Sequence, residues 1–109
     1  MARKLGFGER VARAEMKIRW SPTVISDLES IRDYIARDSP SAARRVANRI
    51  KDSADRLLRF PASGKVGRVA GTRELVVPGT SYIAAYIVQG EEVQIAAVLH
   101  GKQRWPESF

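Results

Sequence analysis

The residues of this chain best able to do chemistry gather where its last apolar run ends. Val93 to Leu99 is apolar apart from Gln94, and His100, Lys102, Gln103, Arg104 and Trp105 follow directly. His100 is the sole histidine, and imidazole titrates near neutrality, so it is the chain's ready general base. Its structural alternative is a strand-end histidine that hydrogen-bonds backbone and anchors the tail. Lys102 and Arg104 offer cations to a phosphate or to an acidic patch on a target, or they are solvated charges after a strand. Trp105 can stack on a base or close the core by covering a sheet edge. Arg73, at the head of an earlier apolar run, is a further cation for a target.

Positioning these groups requires strands. Tyr82 to Val88 is apolar at every position, as a strand covered on both faces would be. Val77-Pro78-Gly79-Thr80 before it fits a type II turn, with Pro preset at the second position and Gly free for positive φ at the third. Gln89-Gly90-Glu91-Glu92 supplies the next reversal. The stretch from Arg73 onward therefore reads as a three-stranded meander. Tyr82 and Tyr86 fall on one face of its middle strand, as core or as part of a partner-binding groove.

The first half is helical. Lys17 to Trp20 alternates polar and apolar, a short first strand. Ser21-Pro22 starts a helix with Val24, Ile25, Leu28, Ile31 and Ile35 on one face. Asp38-Ser39-Pro40 ends it and caps a second helix, which turns Ala43, Val46, Ala47, Ile50, Ala54, Leu57 and Leu58 inward. The outer stripe of that helix is Arg45, Arg49, Asp52, Arg56 and Arg59, with Asp52–Arg56 and Asp55–Arg59 spaced for ion pairs. Such a stripe can bind nucleic acid or an acidic partner segment, or it is an ordinary solvated face. Phe60-Pro61 breaks the helix, and 62–71 is a glycine-bearing loop. Strand, helix, helix and meander predict an α+β fold, β-α-α-β-β-β, with a helical hairpin packed on one face of a mostly antiparallel sheet.

Composition narrows the classes. The 109 residues suffice for one domain with a two-layer core. The absence of cysteine excludes disulfides and thiolate metal sites and fits a reducing cytoplasm. One histidine and no dense carboxylate cluster argue against a transition-metal centre, so no metal or cofactor is expected. No apolar run approaches the roughly 20 residues that span a bilayer. Net charge is +7, and residues 41–70 hold eight Lys or Arg against two Asp, which favours a polyanion or an acidic protein partner. Residues 1–15 are cationic without an apolar signal core; they read as an extension outside a domain of 16–109, with Met16 a natural start.

Several local sequences, in order, resemble the RelE/ParE toxins of bacterial type II toxin–antitoxin systems. They are Ile18-Arg19-Trp20-Ser21-Pro22 with Asp27-Leu28, Ile31 and Tyr34-Ile35; Arg73-Glu74-Leu75; Gly79-Thr80-Ser81-Tyr82-Ile83 with Tyr86; and Val98-Leu99-His100-Gly101 with Gln103 and Trp105-Pro106. The resemblance spans residues 16–106. It implies a growth-inhibiting toxin neutralised by a cognate antitoxin, with operator DNA contacted only through that antitoxin. Tyr82, Tyr86, Arg45, Arg49 and Arg56 are then the candidates for antitoxin contact. Arg73, His100, Lys102, Gln103, Arg104 and Trp105 are the candidates for target contact.

Two activities share this resemblance. RelE-like members cleave messenger RNA on the ribosome without metal; ParE-like members poison DNA gyrase. The RelE-like reading would make His100 the base and Arg73, Lys102 and Arg104 the phosphate clamps. RelE-like enzymes also carry lysine and arginine on the second and third strands, where this chain has Leu75-Val76-Val77 and Ile83-Ala84-Ala85. Leu99-His100 before a polar turn is closer to the ParE side. Gyrase inhibition is therefore the expectation, ribosome-dependent RNA cleavage its alternative, and a partner-binding module without toxicity a third.

Overall fold

The computed structural model describes residues 16–109, so the extension expected over 1–15 lies outside the described residues. Strand β1 (Lys17–Trp20) leads into helices α1 (Pro22–Ala36) and α2 (Pro40–Arg56). Strands β2 (Lys65–Val66), β3 (Arg73–Val76), β4 (Tyr82–Gln89) and β5 (Glu92–His100) follow. They form one five-stranded sheet in the order β1-β5-β4-β3-β2. The expected α+β architecture is present. The meander is antiparallel throughout, and it brings β5 back beside β1 in the single parallel pairing among the described strands.

Both helix starts follow from their caps. The Ser21 hydroxyl accepts from the Val24 N–H and the Ser39 hydroxyl from the Ala42 N–H, each at 3.1 Å, and a proline occupies the first turn of each helix. Helix α2 ends earlier than its apolar pattern predicts. From Leu57 to Arg59 the N–H groups bond three residues back, tightening the chain into a turn before Phe60. Arg59 therefore falls beyond the helix.

The main core lies between the hairpin and the sheet: Val24, Ile50, Ala54 and Leu57 meet Val77, Ala84, Tyr86, Val93, Ile95 and Val98. Ile25, expected on the inner face of α1, is 47% exposed. Leu28 and Ile31 are only half-buried and line an open cleft of about 80 Å³ with Trp20, Val46 and Ala47.

Two local features set which face each later residue occupies. Gly79 has φ +73° in the turn ahead of β4, as the type II geometry requires, and the Thr80 N–H bonds the Val77 carbonyl at 3.2 Å. A β-bulge then interrupts β4–β5 pairing: Ala85 faces Ala97, but Tyr86 faces Ile95. The extra residue switches parity along β5, so Val93, Ile95 and Val98 all reach the helix-side core. It also places His100 on that side, opposite Tyr82.

Candidate functional site

The chain brings together fewer of the candidate groups than their sequence spacing implies. His100 pairs with Tyr82 on one flank of β4, and Arg73 pairs with Tyr86 on the other. Four residues of strand separate the two positions, about 13 Å, with β4 itself between them. No joint base-and-cation site forms from His100 and Arg73.

Each has structural work instead. The Arg73 guanidinium donates to the Gly64 carbonyl at 2.7 Å and to that of Ala62 at 3.4 Å, tying the 62–64 loop to the head of β3. His100 Nδ1 accepts the Lys102 N–H at 3.1 Å, which leaves the proton of a neutral ring on Nε2. The His100 backbone N–H donates to the Gln103 side chain at 3.1 Å, and the ring meets Tyr82 edge-on with centroids 5.5 Å apart. This is the anchoring arrangement. Lys102, Gln103 and Arg104 are exposed and stay available to a partner.

Tyr86 corrects one expectation. Proposed for a partner-facing groove, it is 0% exposed, its hydroxyl donating to the Pro61 carbonyl at 2.8 Å and accepting the Gly64 N–H at 2.9 Å. A Cβ at Gly64 would stand 2.7 Å from that hydroxyl oxygen, so glycine is what admits the tyrosine. Tyr82 is half-buried; burial, then the nearby Tyr34 phenol, push its pKa above the ordinary value.

Trp105 is held on the opposite face of the sheet, where it packs over Ala85, Ala97 and Leu99. The Arg68 guanidinium lies 3.8 Å from its ring centroid and Phe109 meets it edge-on. Arg68 in turn grips Glu74, whose side chain is 0% exposed, through Nε at 3.0 Å, Nη2 at 3.1 Å and its own backbone N–H at 2.7 Å. Those bonds hold the Glu74 carboxyl below its ordinary pKa, although burial opposes them. The pair was not foreseen; a glutamate on a short strand and an arginine in a glycine loop carry no local signal of it. Trp105 covers this part of the sheet and is itself half-buried.

The outer face of α2 does present free cations. Arg45, Arg49 and Arg56 are exposed. Among the described residues, the pair made on this helix is Lys51–Asp55 at 3.1 Å, in place of the expected Asp52–Arg56 and Asp55–Arg59. The described residues contain no group of three or more His, Cys, Asp or Glu that could hold a metal ion. No described helix is long and apolar enough to cross a membrane.

A helical hairpin on a five-stranded sheet, with exposed cations on one helix and on a C-terminal tail, defines a small α+β protein. The sequence model described as "ParE toxin of type II toxin-antitoxin system, parDE" matches residues 18–105. The chain belongs to this family of type II toxins, within the broader RelE/ParE group. It is 42% identical over 91 residues to a putative toxin, Y4kP, of Sinorhizobium fredii, covering 84% of this chain and 94% of that one. It is 39% identical over 84 residues to Toxin RelE2 of Caulobacter vibrioides, covering 77% and 93%. A solved structure described as the chromosomal ParDE TA system from P. aeruginosa superposes with a TM-score of 0.70 at 25% identity, covering 79% of this chain and 96% of that one.

Proposed function

We propose that this toxin acts as ParE-like members do, by inhibiting DNA gyrase through protein contact, and that a cognate antitoxin neutralises it. The observation that carries this reading is the separation from His100 of Arg73, one of the cations RNA cleavage would need. Arg73 is tied to loop carbonyls across β4 from His100. The strand positions where an active-site arginine would stand hold Ala84 and Ala85, 3% and 0% exposed. Metal-free cleavage requires a base and a phosphorane-stabilising cation at one atom's reach, and Arg73 does not supply that cation beside His100. The exposed Lys102, Gln103 and Arg104, on a tail pinned by Trp105, form a docking surface instead. The antitoxin would lie along the helical hairpin, where the open cleft, Ile25 and the 67%-exposed Tyr34 present apolar surface.

Ribosome-dependent RNA cleavage is the second reading. It rests on the likeness to a toxin named RelE2 and on His100 being only partly buried beside the exposed Lys102. One experiment separates the two. The full chain is expressed in a pulse, and protein synthesis and DNA integrity are followed in the same culture. Gyrase inhibition predicts DNA breaks while translation at first continues, and His100→Ala stays toxic if its anchoring bonds are dispensable. An early collapse of translation with intact DNA, abolished in His100→Ala, would replace the gyrase reading with the nuclease.

A further inference from the structure

The outer face of α2 carries a second surface with its own geometry. Arg49 donates through Nη1 to the Pro78 carbonyl at 3.2 Å, so the guanidinium rests on the turn between β3 and β4. A Cβ at Gly79 would stand 2.7 Å from that Nη1, which means the glycine leaves the arginine room to lie against the turn. A cleft of about 100 Å³ opens there, lined by Arg49, Asp52, Ser53, Arg56 and Pro78. Ser53 is 2% exposed and forms the floor. Arg45 continues the row one helical turn earlier; by helix rise Arg45 and Arg49 lie about 6 Å apart and Arg49 and Arg56 about 10 Å apart.

We infer that this face binds the phosphate backbone of duplex DNA, with the Arg49–Arg56 cleft taking one phosphate and Arg45 a neighbouring one. The assignment concerns a different surface from the tail and holds whichever target the toxin has. Three observations favour a duplex. First, the arginines make no ion pair: among the described residues no carboxylate lies within ion-pair distance of Arg45, Arg49 or Arg56, and the pair on this helix is Lys51–Asp55. Second, a protein segment laid there would lack an apolar anchor, since the cleft lining offers only Pro78 as apolar surface. Third, single strands are held by stacking on aromatic rings, and no aromatic residue lies between Arg45 and Arg56. A row of guanidinium forks on one rigid helix, with Arg49 held by a carbonyl, matches a stiff polymer of regularly spaced anions. Asp52, inside the cleft, weakens the site and supplies a test of it.

The test is fluorescence anisotropy of a labelled 20-base-pair duplex of arbitrary sequence with the full chain, titrated from 50 to 200 mM salt. The four cations of residues 1–15 give a background common to every variant. Against it, Arg49→Ala and Arg56→Ala should each weaken binding about 3- to 10-fold and flatten the log K against log salt slope by about 0.9. Asp52→Asn should tighten binding about 2- to 3-fold. Arg49→Lys should keep the slope. Unchanged thermal midpoints would show that the variants remain folded. A missing duplex interaction at 50 mM salt, or a wild-type slope in the Arg49→Ala/Arg56→Ala double variant, would overturn the inference. So would arginine-dependent binding of a Glu-rich 20-residue peptide without duplex binding, which would make this face an acidic-protein dock. Because the assay contains no gyrase, its result is independent of the proposed target.

Discussion

The two faces of the sheet are covered by different means. The helix side is sealed by an amphipathic hairpin, and its deepest residue, Tyr86, satisfies its one polar group with backbone on both sides. The opposite side is covered where Ala85, Ala97 and Leu99 lie by Trp105 of the tail, and that cover is held by charge: Arg68 spans from the Trp105 ring to the buried Glu74. One cover is made by periodicity, the other by a single aromatic and an ion pair. Residues that hold either cover in place are not free for other work. Arg73, Tyr86 and Trp105 carry side chains typical of active sites, yet each holds a cover in place. Among the described residues, exposed cations without an ion-pair partner include those on α2 and on the tail between His100 and Trp105.

The helix-side cover depends most heavily on Tyr86. Tyr86→Ala removes the largest fully buried side chain and should cost about 3–5 kcal/mol. That would unfold much of the chain at 37 °C, seen as a fall in the denaturant midpoint. Tyr86→Phe should cost about 1–2 kcal/mol, because the Gly64 N–H and the Pro61 carbonyl both lose their partner. A Tyr86→Ala protein with an unchanged midpoint would show that the helix-side core is not where stability resides.

On the other face Glu74→Gln should cost about 2 kcal/mol, since a charge-assisted acceptor of three hydrogen bonds becomes a neutral one. The pH dependence carries the sign of the shift. Arg68 lowers the folded-state pKa of Glu74, so its stabilisation is complete above the ordinary carboxylate range. It is lost as pH falls through that range towards the folded value. Glu74→Gln should therefore flatten the acid limb of stability against pH; an unaltered limb would mean that the pair does not persist in solution. Trp105 gives a smaller effect with a sharper contrast. Trp105→Ala should cost about 2 kcal/mol through lost cover. Trp105→Phe should be close to neutral, because the indole Nε1–H is buried without an acceptor and its removal relieves that penalty.

The two faces also differ in how far the sequence revealed them. Helix caps and the Gly79 turn are written in two or three adjacent residues, so Ser21-Pro22, Ser39-Pro40 and Pro78-Gly79 could be read directly. Most inner positions of α2 were equally legible from their spacing, although Ala47, expected inward, is exposed. The bulge between Ala85 and Tyr86 was not, because an apolar strand on apolar strand fits two registers equally well. Without the bulge, neither the side on which His100 lies nor its separation from Arg73 can be derived. The two-residue strand Lys65–Val66 was hidden in a loop for the same reason: it exists only through its pairing with Arg73 and Glu74. The tail's cover was one of two readings for Trp105, and only the position of Arg68 chooses between them.

The smallest effect is expected at the sheet's edge. Arg19 of β1 bonds Glu92 of β5 through Nε at 3.2 Å and Nη2 at 2.9 Å, beside the parallel register that closes the sheet. Hydrogen bonding from Arg19, then from Gln94, lowers the Glu92 pKa to about 2. Unlike Glu74, this carboxylate stands at the surface, where solvent and salt screen the pair. Its stabilisation is present above the ordinary glutamate pKa and disappears as pH falls from that value to about 2. Arg19→Ala should barely move the thermal midpoint at pH 7, and raising salt should mimic the substitution in the wild-type protein. Glu74→Gln should be insensitive to salt by comparison. If both variants responded alike, the far face would be as open to solvent as the sheet's edge, and Trp105 would not be its cover.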